Sequence, residues 1–160
     1  MNFFKTFGIE NIEEKYPQQI IYSLALIYNM IYDDIAQLLG PHDLTPGKFN
    51  ILLIVKHQGK DQGISQVEIG KRLILTASNM AKLIDKLEKE GLLCRSGLKG
   101  DRRVNIVKIT RKGSSLLEQV WEGYNDKLFT LTSQLSKQDQ KILSKMLVTW
   151  FKDMRQTYDQ

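Results

Sequence analysis

Apolar residues between positions 17 and 39 recur at the spacing of an α-helix. Pro17 suits the first turn, where its missing N–H costs nothing, and Gly40 and Pro41 stop the pattern. The spacing therefore predicts one helix from Pro17 to Leu39, roughly 35 Å long at about 1.5 Å per residue. Its apolar stripe consists of Ile20, Leu24, Ile27, Ile31, Ile35 and Leu38.

Two further helices are predicted from their start signals. Thr45 can cap a helix that has Pro46 in its first turn and ends near Gly59. Ser65 and Glu68 fit a capping box, in which each side chain satisfies a backbone N–H of the other residue. The helix after Thr45 is expected to bury Phe49, Leu52 and Leu53, and the helix after Ser65 is expected to bury Val67, Ile69 and Leu73.

The next helix has two chemically different faces. Thr76 is the predicted cap, and Gly91 ends the helix as glycine does at a left-handed C-cap. The apolar face contains Met80, Leu83, Ile84 and Leu87. The opposite face contains Ser78, Asn79, Lys82, Lys86 and Lys89.

A short hairpin and two long helices complete the chain. Residues 92–95 and 105–109 are predicted as strands, joined by a basic, glycine-containing turn over residues 96–104. Thr110 caps the first long helix and Ser136 the second. The stripe of the first is Leu117, Val120, Trp121, Tyr124, Leu128, Leu131 and Leu135, and that of the second is Leu143, Met146, Leu147, Trp150 and Met154.

This order of elements is typical of a winged helix-turn-helix, which places one helix in a DNA major groove and a basic hairpin beside it. We therefore expect a mainly α protein with a small β-hairpin wing formed within residues 41–110. The long helices of residues 1–40 and 111–160 carry more apolar surface than a small winged domain can cover. We expect them to form a helical dimerisation region.

Composition narrows the class of protein. The chain has 160 residues, of which 42% are hydrophobic and 26% charged, as is ordinary for a soluble protein. One cysteine cannot form an internal disulfide, which fits a reducing compartment. The longest apolar stretch is too short to span a bilayer, and the first residues lack a signal peptide. We expect a cytoplasmic protein with no membrane partner.

Positive charge is concentrated in one window of the chain. Residues 82–112 contain ten basic and four acidic side chains, a net charge of +6, whereas the whole chain carries +5. Phosphate contacts dominate nucleic-acid affinity, so this window is a candidate surface for double-stranded DNA. A solvated basic surface with no partner is the alternative interpretation.

The polar face of the helix after Thr76 has chemistry suited to DNA. Ser78 and Asn79 are short enough to approach base edges, and Asn can pair bidentately with adenine. Lys82 and Lys86 lie one turn apart and can reach bases or phosphates. Taken alone, the same pattern fits an ordinary amphipathic surface helix.

The predicted hairpin tip, Gly100 to Arg103, adds a second basic element. Arginine at a hairpin tip can enter a narrow minor groove, where the potential is most negative. Asp101 would be repelled by phosphate, but it can pair with Arg103 and orient its guanidinium. A turn-forming aspartate in a charged loop is the alternative.

The segments TASNMAKLIDKLEKEGLLCR and GDRRVNIVKITRKG resemble the recognition helix and wing of MarR-type transcriptional regulators. The signature is an Asp-x-Arg wing and a strand that ends in an apolar residue and Thr, with Gly shortly after. Here these residues are Asp101, Arg103, Ile109, Thr110 and Gly113. The flanking helices follow the same order, so the resemblance covers nearly the whole chain.

The resemblance implies an obligate homodimer whose terminal helices interdigitate and whose winged domains bind adjacent major grooves of a pseudo-palindromic operator. It implies repression more often than activation, and small phenolic or lipophilic effectors bound between the dimer helices and the winged domain. Lys82 departs from the family, which often has Arg there, and this weakens a bidentate reading of guanine. The expected DNA contacts are Ser65, Gln66, Thr76, Ala77, Ser78, Asn79, Lys82, Lys86, Asp101, Arg102 and Arg103.

Other chemistry is less well supported by the sequence. Cys94 is expected to be a small buried hydrophobe rather than a redox sensor. A metal site formed by Asp33, Asp34, His42 and Asp43 is a weaker alternative, and we expect no cofactor. Ser and His show no arrangement for nucleophilic catalysis, so an enzyme is disfavoured. The main rival is a winged-helix protein-interaction module that does not bind DNA.

Overall fold

The computed structural model describes residues 3–9, 15–73, 77–98 and 101–158. Within these ranges the side chains of residues 3–4, 77–78, 97–98, 101–105 and 158 fall outside the described part. The chain divides into two compact units, residues 1–121 and residues 122–160. The division of residues 41–110 from a dimerisation region remains a prediction.

The fold is mainly α with a small antiparallel sheet, as predicted. The helices are α1 (Tyr16–Leu39), α2 (Pro46–Gly59), α3 (Gln66–Arg72), α4 (Ala77–Lys89), α5 (Arg111–Thr132) and α6 (Lys137–Tyr158). Short 3-10 helices lie at Phe3–Phe7 and Gly40–His42. The strands are β1 (Ile64–Ser65), β2 (Leu93–Leu98) and β3 (Asp101–Ile109).

Side-chain oxygens cap four of the helices at residues that the sequence predicted. The caps are Thr45 on α2, Ser65 on α3, Thr110 on α5 and Ser136 on α6. Each accepts a hydrogen bond of 3.0–3.3 Å from the backbone N–H three residues later. These side chains satisfy donors that have no partner inside the helix, which explains why the helices begin where they do.

The sheet has the order β1-β3-β2, and all neighbours are antiparallel. Leu93 pairs with Ile109 at the base of the hairpin, and Leu98 pairs with Asp101 near its end. The register shifts between Gly97 and Leu98. The predicted strands were therefore too short, because ladder pairing extends into the polar, basic segment. The two-residue strand β1 has no periodicity of its own and was not predicted.

The core of residues 1–121 is formed by α1 to α5 and the sheet. Its largest fully buried side chains are Leu39, Phe49, Ile51, Leu52, Val55, Ile69, Ile84, Leu87, Leu93, Val107 and Leu117. The prediction that Val67 is buried was wrong, since this side chain is 67% exposed. Ile69 occupies the core instead, and residues two positions apart lie about 200° apart around a helix, so α3 cannot bury both.

Much apolar surface remains uncovered in a single chain. Of the predicted α1 stripe, Ile35 is buried, whereas Ile20, Ile27 and Ile31 are at least 36% exposed. In the second unit, α6 exposes Ile142, Leu143, Met146, Leu147, Val148, Phe151 and Met154. Apolar faces of this extent are unusual on an isolated soluble chain.

Among the described residues, Lys48 is the charged residue whose side chain is buried. Lys48 on α2 is 2% exposed, and its Nζ donates to Glu90 Oε1 at 2.7 Å and Oε2 at 2.8 Å. It also donates to the Asp43 carbonyl oxygen at 2.9 Å. These contacts give the ammonium an anionic partner and a carbonyl, as a buried charge requires. Lys48 thereby joins the α1–α2 turn to the end of α4.

The end of α4 is fixed by a Schellman motif. Gly91 has φ +70° and donates its N–H to the Glu88 carbonyl at 2.9 Å, and Leu92 donates to the Leu87 carbonyl at 2.9 Å. The positive φ suits glycine, because other residues pay a steric cost there. The motif turns the chain directly from α4 into β2.

The start of α5 lies against the residues that end α4. The Thr110 hydroxyl donates to the Gly91 carbonyl at 2.7 Å, and the Thr110 N–H donates to the Leu92 carbonyl at 3.1 Å. Gly113 packs against that carbonyl so closely that a Cβ atom would overlap its oxygen. Both ends of the hairpin are therefore tied to the C-terminus of α4.

We predict different losses of stability for two glycine substitutions. Gly91→Ala meets open space and should cost about 1–2 kcal/mol, the cost of an L-residue at positive φ. Gly113→Ala forces a methyl group into the Leu92 carbonyl and should cost roughly 3 kcal/mol or more. Urea unfolding measures both, and an equal or smaller loss for Gly113→Ala would contradict the close approach.

Candidate nucleic-acid interface

Helix α4 is held by its apolar face, as predicted. Met80 is 7% exposed, and Ile84 is fully buried. Two glycines let neighbouring helices come close to α4. A Cβ on Gly70 of α3 would lie 3.2 Å from the Met80 sulfur, and one on Gly47 of α2 would lie 3.3 Å from a Leu83 methyl. Helices α2 and α3 therefore both pack closely against the apolar face of α4.

The opposite face of α4 is open to solvent. Asn79, Lys82, Lys86 and Lys89 are all exposed. Asn79, Lys82 and Lys86 are separated by three and four residues, so they lie along one side of the helix. Ala77 and Ser78 form its first turn, with side chains outside the described part, and Thr76 lies outside the described residues.

The residues expected to bind DNA from α3 lie at its start. Ser65 caps the helix and Gln66 is its first residue. The capping box was only half correct. The Glu68 carboxylate accepts hydrogen bonds from Lys71 and Arg72, each at 2.7 Å, because both cations lie on the next turn of the same face. Arg72, followed by Lys71, lowers the pKa of Glu68 to about 2.

The wing differs from the prediction in its secondary structure. Asp101, Arg102 and Arg103 open strand β3 rather than lying in the turn, because Asp101 already pairs with Leu98 across the hairpin. Their side chains, and Gly100, lie outside the described part. The pairing of Asp101 with Arg103 and their contact with a groove remain predictions.

Arg95 of β2 makes a contact that the sequence analysis missed. Its guanidinium donates to Glu88 Oε2 at 2.5 Å and to Asp85 Oδ1, and its backbone N–H donates to Glu88 Oε1 at 3.1 Å. Burial disfavours its charged form, but the hydrogen bonds to Asp85 and Glu88 prevail and raise the pKa of Arg95. The available signal was an Arg shortly after a helix-ending Gly, where the chain runs back past α4.

Several cations of the basic window have hydrogen-bond partners within the fold. Lys108 Nζ donates to the Asp61 carbonyl at 2.8 Å, and Lys112 Nζ donates to the Glu90 carbonyl at 2.8 Å. With Arg95, these cations hold elements of the fold together. The lysines of α4, in contrast, are exposed on its outer face.

The expectation for Cys94 was wrong, since its side chain is exposed. Successive residues of a strand face opposite sides, and Leu93, which is 2% exposed, takes the side that faces the core. Cys94 therefore points away from the core rather than packing inside it.

A small pocket lies between α2 and α5. Its volume is about 290 Å³, and it is lined by Leu53, Lys56, His57, Leu117, Glu118 and Trp121. Lys56 Nζ lies 3.0 Å from Glu118 Oε1, and the ring centroids of His57 and Trp121 lie 6.3 Å apart. The wall thus combines apolar surface with two nitrogen donors.

The described residues hold neither a cluster of metal ligands nor a membrane-spanning helix. In the described part of the chain, no three His, Cys, Asp or Glu side chains are grouped as metal ligands, so Asp33, Asp34, His42 and Asp43 do not form such a site. Among the described helices, none is long and apolar enough to cross a membrane.

Comparison with known proteins identifies the family. Residues 44–104 match the model of the MarR family. The HTH-type transcriptional regulator MhqR of Bacillus subtilis (strain 168) is 32% identical over 124 residues, which cover 78% of this chain and 83% of MhqR. The chain belongs to the MarR family.

Solved structures of other proteins share the fold. A mutant MarR from E. coli, complexed with operator DNA, has a TM-score of 0.76 at 22% identity, and the match covers 88% of this chain and 98% of that one. BpsR of Bordetella bronchiseptica, whose DNA binding is regulated by 6-hydroxynicotinic acid, has a TM-score of 0.74 at 20% identity, with coverage of 82% and 98%. The winged helix-turn-helix predicted from the sequence is confirmed.

We predict that Glu68 titrates near pH 2 rather than near the usual value of about 4.3. A lowered pKa favours folding only while the carboxylate is ionised. Its contribution is therefore complete above about pH 4.3 and is lost as the pH falls towards 2. Carboxyl NMR should report this value, and replacing both Lys71 and Arg72 with Met should restore an ordinary titration. An ordinary pKa in the parent protein would contradict the paired geometry.

Proposed function

We propose that this MarR-family protein is a sequence-specific regulator of transcription that binds double-stranded DNA. The observation that carries the proposal is α4, whose apolar face is buried while Asn79, Lys82 and Lys86 are exposed along one side. Such a helix can enter a major groove without exposing its core face. We include in the proposed interface Ser65 and Gln66 at the start of α3, Ala77 and Ser78 in the first turn of α4, and Thr76, which precedes α4 in the sequence.

The wing is proposed as the second DNA-contacting element. Asp101, Arg102 and Arg103 open the strand that returns from the hairpin. In our proposal Arg103 enters the minor groove beside the site of α4, and Asp101 orients it. The net charge of +6 across residues 82–112 supports a phosphate-facing surface.

The proposed assembly is a homodimer that represses transcription from a pseudo-palindromic operator. The uncovered apolar faces of α1 and α6 support it, since a second copy would remove them from water. Two winged domains related by a two-fold axis would then meet two half-sites. Repression, rather than activation, is the commoner mode implied by the family resemblance.

Selection of bound sequences from random DNA tests the function directly. The expected result is an inverted repeat, bound with an affinity that falls steeply with salt, because phosphate contacts release counterions. A winged-helix module that binds only proteins would show no enriched sequence and no salt-dependent shift of DNA. That outcome would overturn the proposal.

We predict that Asn79 and Lys86 contribute to DNA binding in different ways. Asn79→Ala should cost about 1–3 kcal/mol on the selected sequence and relax the base preference, if its amide pairs with adenine. Lys86→Ala should weaken binding to all sequences and lower the salt slope by about one unit per half-site, since a phosphate contact carries no sequence information. Fluorescence anisotropy at several salt concentrations separates the two, and identical profiles would refute this division.

The dimer is tested by sedimentation at low micromolar concentration. We expect a species of twice the 18.5 kDa chain mass and no monomer. A single species of chain mass would exclude the dimer and with it binding to two half-sites.

The pocket between α2 and α5 is the proposed effector site. Lys56 and His57 could bind a carboxylate, while Leu53, Leu117 and Trp121 offer apolar surface to a phenolic ring. We expect salicylate, benzoate or 6-hydroxynicotinate to bind, measured by calorimetry, and to release DNA. Lys56→Met should weaken binding of the same compounds. No heat of binding for any of the three, or equal affinity in Lys56→Met, would exclude this assignment.

A further inference from the structure

Arg95 joins α4 to the hairpin through two carboxylates. Its guanidinium contacts Asp85 and Glu88, which lie one turn apart on α4, while its own backbone belongs to β2. Glu88 is also held by the backbone N–H of Arg95 at 3.1 Å. The Arg95 side chain is 23% exposed, so these contacts are partly shielded from water.

The two carboxylates are unexpected on a helix that is proposed to meet phosphate. Lys82, Lys86 and Lys89 share this helix with them, and uncompensated acids would cancel two of the three positive charges. Arg95 returns one positive charge and pairs with both acids. The pairing also fixes where β2 leaves the end of α4.

We propose that Arg95 is a positioning residue that holds the base of the wing against the recognition helix, so that the two engage DNA as one unit. This proposal rests on the proposed DNA-binding function. Arg95 would act on DNA binding indirectly, by holding β2 against α4. The planar guanidinium suits the role, because it can bind two carboxylates through separate nitrogens. A lysine ammonium would lack this fixed geometry.

The first test compares two variants that each remove one positive charge. Arg95→Met removes the tether, that is, the ion pairs of Arg95 with Asp85 and Glu88 that join β2 to α4. Lys89→Met removes an exposed positive charge from α4. On the DNA selected above, Lys89→Met should lose about threefold in affinity, as for one phosphate contact. Arg95→Met should lose about tenfold or more, since it also breaks charge-assisted hydrogen bonds that orient the wing. Equal losses would overturn the proposal.

A second variant separates position from charge. Glu88→Gln removes a negative charge and keeps a side chain of the same shape, so electrostatics alone would tighten DNA binding. We expect weaker binding instead, with reduced preference for the flanking bases next to the wing and unchanged preference for the bases under α4. Tighter binding with an unaltered flanking preference would show that the cluster acts only through charge.

A DNA-free measurement keeps the tether testable if the proposed function fails. Backbone amides of β2 should exchange hydrogen at least about tenfold faster in Arg95→Met than in Lys89→Met, while amides of α2 remain protected. Thermal melts confirm that both variants are folded. Absence of DNA binding by the parent protein would reject the function alone, whereas unchanged exchange in β2 would reject the tether.

Discussion

The turn from α4 into β2 is the constraint on which the arrangement of this winged domain depends. At Gly91 the positive φ reverses the chain, and the carbonyl of Leu92 then accepts the N–H of Thr110 from the far end of the hairpin. Gly113 keeps the first turn of α5 in contact with that carbonyl. One peptide group thus aligns α4, both strands of the hairpin and the long helix α5 that follows.

Charged side chains orient the same region. Lys48 brings α2 to the Glu90 carboxylate, and Lys112 brings α5 to the Glu90 carbonyl. Burial of a charge is costly, and apolar residues of similar size often stabilise a core as well or better. What the ion pair adds is direction, because Nζ has its hydrogen-bond partners only when the end of α4 lies in one place. Helix α4 is therefore fixed at its C-terminus by polar contacts and along its length by apolar ones.

Local signals in the sequence were sufficient for most of the helices. Caps at Thr45, Ser65, Thr110 and Ser136 act over three or four residues, so they can be read without knowledge of the fold. The α4 faces followed from the helical period for the same reason. Strand β1, in contrast, is defined by its partner β3, and two residues carry no period.

The errors have a common cause in tertiary contacts. The sequence does not show which side of α3 or β2 meets the core, so Val67 and Cys94 were placed on the wrong side. The same limit hid Lys48 and Arg95, whose partners are distant along the chain or across a turn. Asn79, Lys82 and Lys86 were placed correctly on the exposed face, since the apolar stripe of their own helix determines where they point.

The spacing between Gly91 and Arg95 has a consequence for how this chain can change in evolution. An insertion of one residue between Gly91 and Leu93 would exchange the two faces of β2 and turn both Leu93 and Arg95, which share a face, away from the core and from α4. Beyond Gly97 no such restriction applies to the described contacts, so residues added in pairs to the two strands would lengthen the wing and leave its attachment intact. Related sequences can therefore differ in the length of the hairpin beyond Gly97, whereas the number of residues between Gly91 and Arg95 stays fixed.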